Sequence, residues 1–326
     1  MIIHQFRKFS PINIVYLSVL GLMFCAVLLS RPPETSEIRL AEVNLLIPLG
    51  LDTIQISPML HVLLTLGLTV IQALYLNKVM NKYYFTGRPN FLVALLYVTY
   101  ASLLPSFLVL TPGLICNFMV IWMLDKLIGV HAHERAVVPL FDLGMIVTLG
   151  SLIYFPFLGN MLVLWAALLL FRPFQWREWV APILGFITVY FLLWVLYFWQ
   201  NQADQFWLVW HPYLNWTIPP ISTDYKDYLI GIPVVLILIL TLDSLRKHIF
   251  KRVVLIRKII QLLLVLFLVS LLGIVVDPDR NTADLLALVP SVTIYSAFYF
   301  NYGQKRWFYE SCYLILVLSI FLHQII

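Results

Sequence analysis

The chain has 326 residues, 62% of them hydrophobic and only 11% charged, with a formal net charge of +5 at pH 7. A soluble domain carries about 45–50% apolar and about 25% charged residues, so the composition excludes an ordinary soluble enzyme or binding module. The apolar residues instead fall in runs of roughly 17–25, the length that crosses a hydrocarbon core of about 30 Å.

These runs predict an all-α polytopic transmembrane bundle forming one integral membrane domain over residues 1–326. The expected spans are 11–30, 58–77, 91–110, 113–129, 136–155, 157–171, 179–200, 228–245, 255–276, 284–301 and 308–326, about eleven in all. The pair 136–155 and 157–171 is short and divided only by Pro156, and a re-entrant hairpin there would lower the count toward nine. Runs such as VVLILILTL do not alternate, which excludes a β-barrel.

Arg7 and Lys8 precede the first run, which is too long for a signal peptide, and the following RPPETSE lacks a small-x-small cleavage site. The run reads as an uncleaved first span. Next comes the loop 31–57, in which ETSEIRLAEVNLLI (34–47) places Arg39 and Glu42 on one helical face and Ile38, Leu45 and Leu46 on another. That pattern predicts an amphipathic helix on the membrane surface, with Ser36 as its N-cap.

After the fourth run comes HAHERAVVPLFDLG (131–144). His131 and His133 stand two apart, about 200° round a helix, where a metal pair prefers the i, i+4 spacing. No metal and no cofactor are expected. Asp142 falls several ångströms inside the membrane, where an acid is either a working carboxylate or half of an ion pair. Arg135, two turns earlier, and Lys126, across the hairpin, are its candidate partners.

Beyond the seventh run, FWLVWHPYLNW (206–216) is rich in Trp and Tyr, the residues of an interfacial belt. Trp207, Trp210 and His211 are its candidates for contact with a cationic or sugar-bearing headgroup. RKHIFKRVVLIRK (246–258) is the densest basic stretch and predicts contact with anionic headgroups. With the N-terminus in the cytoplasm, seventeen of the 21 Lys and Arg fall on the inner side, and only Arg31, Arg39, Lys226 and Arg280 fall outside. The pI near 9.0 thus describes an inner rim and not a nucleic-acid surface. Cys25, Cys116 and Cys312 all lie inside apolar runs, which leaves no disulfide frame and no CxxC metal pair.

Three stretches carry a resemblance: PGLICNFMVIWMLDKL (112–127), FDLGMIVTLGSLIYFPFLG (141–159) and FRPFQWREWVAPILGFITVYFL (171–192). Together they resemble a family of uncharacterised multi-pass membrane proteins from Bacteroidota, some labelled carotene monooxygenase-like. That label implies several iron-binding histidines, whereas the topology divides the seven here between two faces. More loosely, a first span, an acidic outer loop and many short-looped spans resemble glycosyltransferases that use polyprenyl-phosphate sugars, which carry a catalytic acid in that loop.

Three functions are therefore expected, in order. The first is a non-catalytic subunit or scaffold of an envelope assembly in the cell inner membrane, with lipids and envelope proteins as partners. The second is a transferase of a lipid-linked sugar at the outer face. There Glu42 or Glu37 would serve as the catalytic base and Arg39 would grip the donor phosphate. A transporter is third. No Walker loop, GxGxxG or GxSxG is present to favour nucleotide-driven or serine-hydrolase chemistry.

Overall fold

The computed structural model describes residues 2–30, 37–38, 54–55, 58–132, 136–201, 203–204, 206, 225–276 and 282–325. Among them run twelve α-helices: α1 (Ile2–Phe6), α2 (Ile12–Ser30), α3 (Pro58–Lys82), α4 (Leu92–Tyr100), α5 (Pro112–Gly129), α6 (Val137–Ile153), α7 (Asn160–Phe171), α8 (Trp176–Trp199), α9 (Tyr225–His248), α10 (Val254–Val276), α11 (Val289–Tyr302) and α12 (Arg306–Ile325). Helices α2 to α12 fall one to each of the eleven apolar runs. Six helical segments are long and apolar enough to cross a membrane: Met59–Lys82, Pro112–Gly129, Trp176–Trp199, Leu229–His248, Val254–Val275 and Thr282–Tyr302.

Local chemistry sets several helix ends. Thr111 caps α5 by accepting from Leu114 N at 3.3 Å, and Pro112 follows at the first position, where a missing N–H costs nothing. Pro156 breaks the run between α6 and α7, and Phe155–Gly159 becomes a 3₁₀ turn. The run 91–110 differs from the single span expected. Helix α4 stops after nine residues, the chain turns at Ala101–Leu104, and Pro105–Leu108 forms a 3₁₀ turn, because Pro105 cannot continue the α-helical ladder.

The core is organised around α4 and α11. Every residue of α4 is buried, as is α11 from Val289 to Phe300. Several of their polar groups bond to neighbouring helices, as a low-dielectric interior favours. Tyr100 OH and Ser296 Oγ are 2.8 Å apart, and Thr99 Oγ1 and Tyr313 OH 3.1 Å. Tyr97 OH donates to Gln72 Oε1 at 2.8 Å, and Gln72 Nε2 donates to Leu114 O at 2.7 Å.

Helices α6 and α8 pack backbone to backbone. A Cβ on Gly144 would stand 2.1 Å from Pro182 O, and one on Gly185 2.2 Å from Phe141 O. Only glycine allows two helices this close, the device that membrane helices use where the hydrophobic effect does not drive association.

Residues Glu37–Ile38 (β1) pair antiparallel with Ile54–Gln55 (β2), in the register Glu37 to Gln55 and Ile38 to Ile54. This corrects the amphipathic helix expected over 34–47 at the two positions described there. Both pairs of residues lie between the neighbouring helices α2 and α3, and β-branched Ile38 and Ile54 favour a ladder over a helical turn.

Candidate functional site

The helix ends sort into two groups. At one end, here called the basic end, hydrogen bonds and ion pairs tie together α1, the turns 83–91 and 172–176, the ends of α5, α9 and α11, and the starts of α6, α10 and α12. At the opposite end, Thr282 Oγ1 donates to Ser106 Oγ at 3.1 Å and Leu110 N donates to His61 Nδ1 at 3.3 Å.

The basic end is built from short-range satisfaction of charges. Glu310 accepts from Ile3 N at 3.3 Å and from His4 N at 3.0 Å, closing the first turn of α1. Arg7 donates to the carbonyls of Phe300 and Gly303, and its guanidinium lies 4.2 Å from the centre of the Tyr309 ring. Burial lowers the Arg7 pKa, against the opposing pull of Tyr309 and Glu310. Lys82 Nζ reaches Asp125 Oδ1 at 2.8 Å, and Lys247 pairs with Asp243 one turn earlier. Arg172 Nε lies 2.9 Å from Glu178 Oε2, with side chains only 9% and 1% exposed. Arg172 Nη1 also donates to Val130 O at 3.0 Å, and Glu178 Oε1 accepts from Ala136 N at 3.3 Å.

Asp142, the intramembrane acid of the sequence, meets Lys126 Nζ at 3.1 Å, with side-chain exposures of 31% for Lys126 and 38% for Asp142. Of its two candidate partners, the one across the hairpin is the one it meets. Arg135 lies outside the described residues, as do Arg39, Glu42, Trp207, Trp210 and His211. Glu37 sits in β1, away from any helical face. The transferase site expected in the outer loop thus falls almost wholly on residues that are not described.

His131 bonds Ile128 O through Nδ1 at 2.6 Å and packs against Phe171, while His248 bonds Ser244 O at 2.9 Å. Among the described residues, no three His, Cys, Asp or Glu converge to hold a metal. A small cavity of about 30 Å³, room for about two waters, lies among Cys116, Asn117, Tyr154, Asn160 and Ser270. Asn160 Oδ1 is buried there without a hydrogen-bond partner among the described residues.

Sequence reading missed Glu178. Its burial has no local signal, because its partner Arg172 belongs to the preceding helix end across Pro173. Arg252 and Arg257 were read only as part of a basic run, although the structure gives them separate surroundings. The five acids described at the basic end, Asp125, Asp142, Glu178, Asp243 and Glu310, each meet a near partner. The chain matches no family model, no curated protein and no solved structure.

Proposed function

We propose that this chain is a non-catalytic membrane subunit of an envelope assembly, seated in the cell inner membrane with its basic end in the cytoplasm. The observation that carries this reading is the solidity of the bundle. Its central helices are buried all round, the hydroxyls of Tyr97, Thr99, Tyr100 and Ser296 are bonded across helices, and the described cavity has room for only about two waters. A donor lipid or a transported solute needs far more space, since small-molecule sites enclose about 300–1,000 Å³. The outward faces suit a partner or lipid: on α8, Ile187, Phe191, Leu192 and Phe198 are all more than half exposed.

Orientation is tested first. In a variant with Cys25, Cys116 and Cys312 replaced by alanine, a cysteine at Lys247 is expected to resist a membrane-impermeant maleimide added to intact cells. One at Trp199 is expected to react. The reverse pattern would place the basic end outside, against the charge rule.

Function is tested by gene replacement in the native host with Glu37→Gln, Glu42→Gln and Arg39→Ala. The subunit reading expects wild-type envelope glycans from all three. It also expects the chain to migrate on native gels in digitonin within a particle much larger than its own 37.8 kDa. Loss of sugar transfer by Glu42→Gln or Glu37→Gln at normal expression would establish the transferase instead.

A further inference from the structure

At the basic end, two partly buried arginines have no acceptor among the described residues. Arg252, in the turn between α9 and α10, lies over the Tyr302 ring, its Cζ 4.3 Å from the ring centre. Among the described residues no carboxylate lies within ion-pair distance of it and no acceptor takes its N–H groups, although burial lowers its pKa. Five residues on, in the first turn of α10, Arg257 Nε is buried with no hydrogen-bond partner among the described residues. Arg7 and Arg172, the other partly buried arginines described at this end, find acceptors within the protein, whereas Arg88, Arg177, Arg246 and Arg306 are exposed to solvent. A cation drawn partly out of water without an anion is costly, and the cost is removed when an anion arrives.

The surroundings are arranged to hold Arg252 open. Tyr302 is fixed from both directions: its OH donates to Thr86 O at 3.3 Å, and the His248 ring stacks on it at 5.2 Å and 19°. Gly87, at φ +85°, brings bare backbone against the guanidinium, where a Cβ would stand 3.4 Å from its terminal nitrogen. Stacking uses only the face of the guanidinium. Its N–H donors point out in the ring plane, in the fork that matches two phosphate oxygens.

We propose that Arg252, held on Tyr302, together with Arg257 forms a binding site for the phosphate of an anionic phospholipid headgroup. The phosphate chemistry alone would also fit inorganic phosphate. The neighbours favour lipid: Phe250, Val253 and Val254 flank Arg252 and are 82%, 69% and 54% exposed. Such apolar side chains beside a phosphate clamp belong at the boundary of headgroups and acyl chains, not in open water. The surplus of cations at this end repels the ammonium of a zwitterionic headgroup and selects a lipid with net negative charge. The site goes beyond the subunit reading and stands or falls separately from it.

The test uses the full chain in a neutral detergent, with native mass spectrometry reading bound lipid. Wild type is expected to retain phosphatidylglycerol about tenfold more tightly than phosphatidylcholine, the size of one charge-assisted bond. Arg252→Gln/Arg257→Gln is expected to lose that preference, and Arg252→Lys, which keeps the charge but not the fork, to lose part of it. Arg257 holds no stacking partner, so Arg257→Gln alone should weaken phosphatidylglycerol with an unchanged melting temperature. Undiminished selectivity in the double variant overturns the site. Displacement of the lipid by millimolar inorganic phosphate overturns the lipid as its occupant.

Discussion

Gly185→Ala and Gly144→Ala are expected to be among the most damaging single-methyl changes in this protein. In each case the added carbon lands little more than 2 Å from a backbone carbonyl of the facing helix, Phe141 O or Pro182 O, and backbone cannot rotate aside as a side chain can. Helices α6 and α8 must separate, and the apolar contacts along the whole seam loosen with them. Overpacking in a core costs about 1–3 kcal/mol, and a clash with backbone belongs at or above the upper end. Reversible unfolding in mixed micelles measures the loss. Gly67 and Gly231 supply the control, because a Cβ at either meets nothing within 4 Å. Alanine there should be neutral or slightly stabilising, since it narrows the unfolded ensemble and favours helix. If Gly185→Ala melted with wild type, the close seam between α6 and α8 would not exist.

Glu178→Ala should do comparable harm by a different route. The carboxylate is almost wholly buried, 2.9 Å from Arg172 Nε, and also takes the N–H of Ala136. Its removal strands the Arg172 charge in a low-dielectric setting and orphans a backbone donor at the start of α6. Breaking one half of a buried pair costs about 3–5 kcal/mol, whereas replacing both halves by apolar groups of similar size is often neutral. Arg172→Met/Glu178→Leu is therefore expected to recover much of what Glu178→Ala loses, in the same micelle unfolding measurement. A double variant no more stable than Glu178→Ala would mean that the contacts of Arg172 with Val130 O and of Glu178 with Ala136 N matter more than the pair itself.

The eleven apolar runs were legible because length and hydropathy are properties of a local window, and each run holds one of the helices α2 to α12. The break at Pro156 was legible for the same reason. The shortness of α4 was harder to see: Pro105 signals an end, but the hydropathy of 91–110 is that of a full span. The partner of Asp142 was narrowed to two by spacing alone, and Lys126 was one of them. Glu178 was invisible, because burial of a carboxylate depends on which distant cation the fold delivers. The Tyr302 seat of Arg252 is likewise a contact between residues fifty apart. The helix expected over 34–47 went astray at Glu37–Ile38 because periodicity reports a face but not the strand pairing that two adjacent loop arms permit.

The latch between Glu310 and the first turn of α1 joins residues 306 and 307 positions apart in the chain. A ribosome adding about 5–20 residues per second takes roughly 15–60 s to travel that distance. Throughout that interval the first turn lacks its acceptor and Arg7 lacks the carbonyls of Phe300 and Gly303, while α4 waits for α11 to enclose it. A copy halted before residue 300 therefore holds its first turn by local hydrogen bonds alone and leaves α4 without the helix that encloses it.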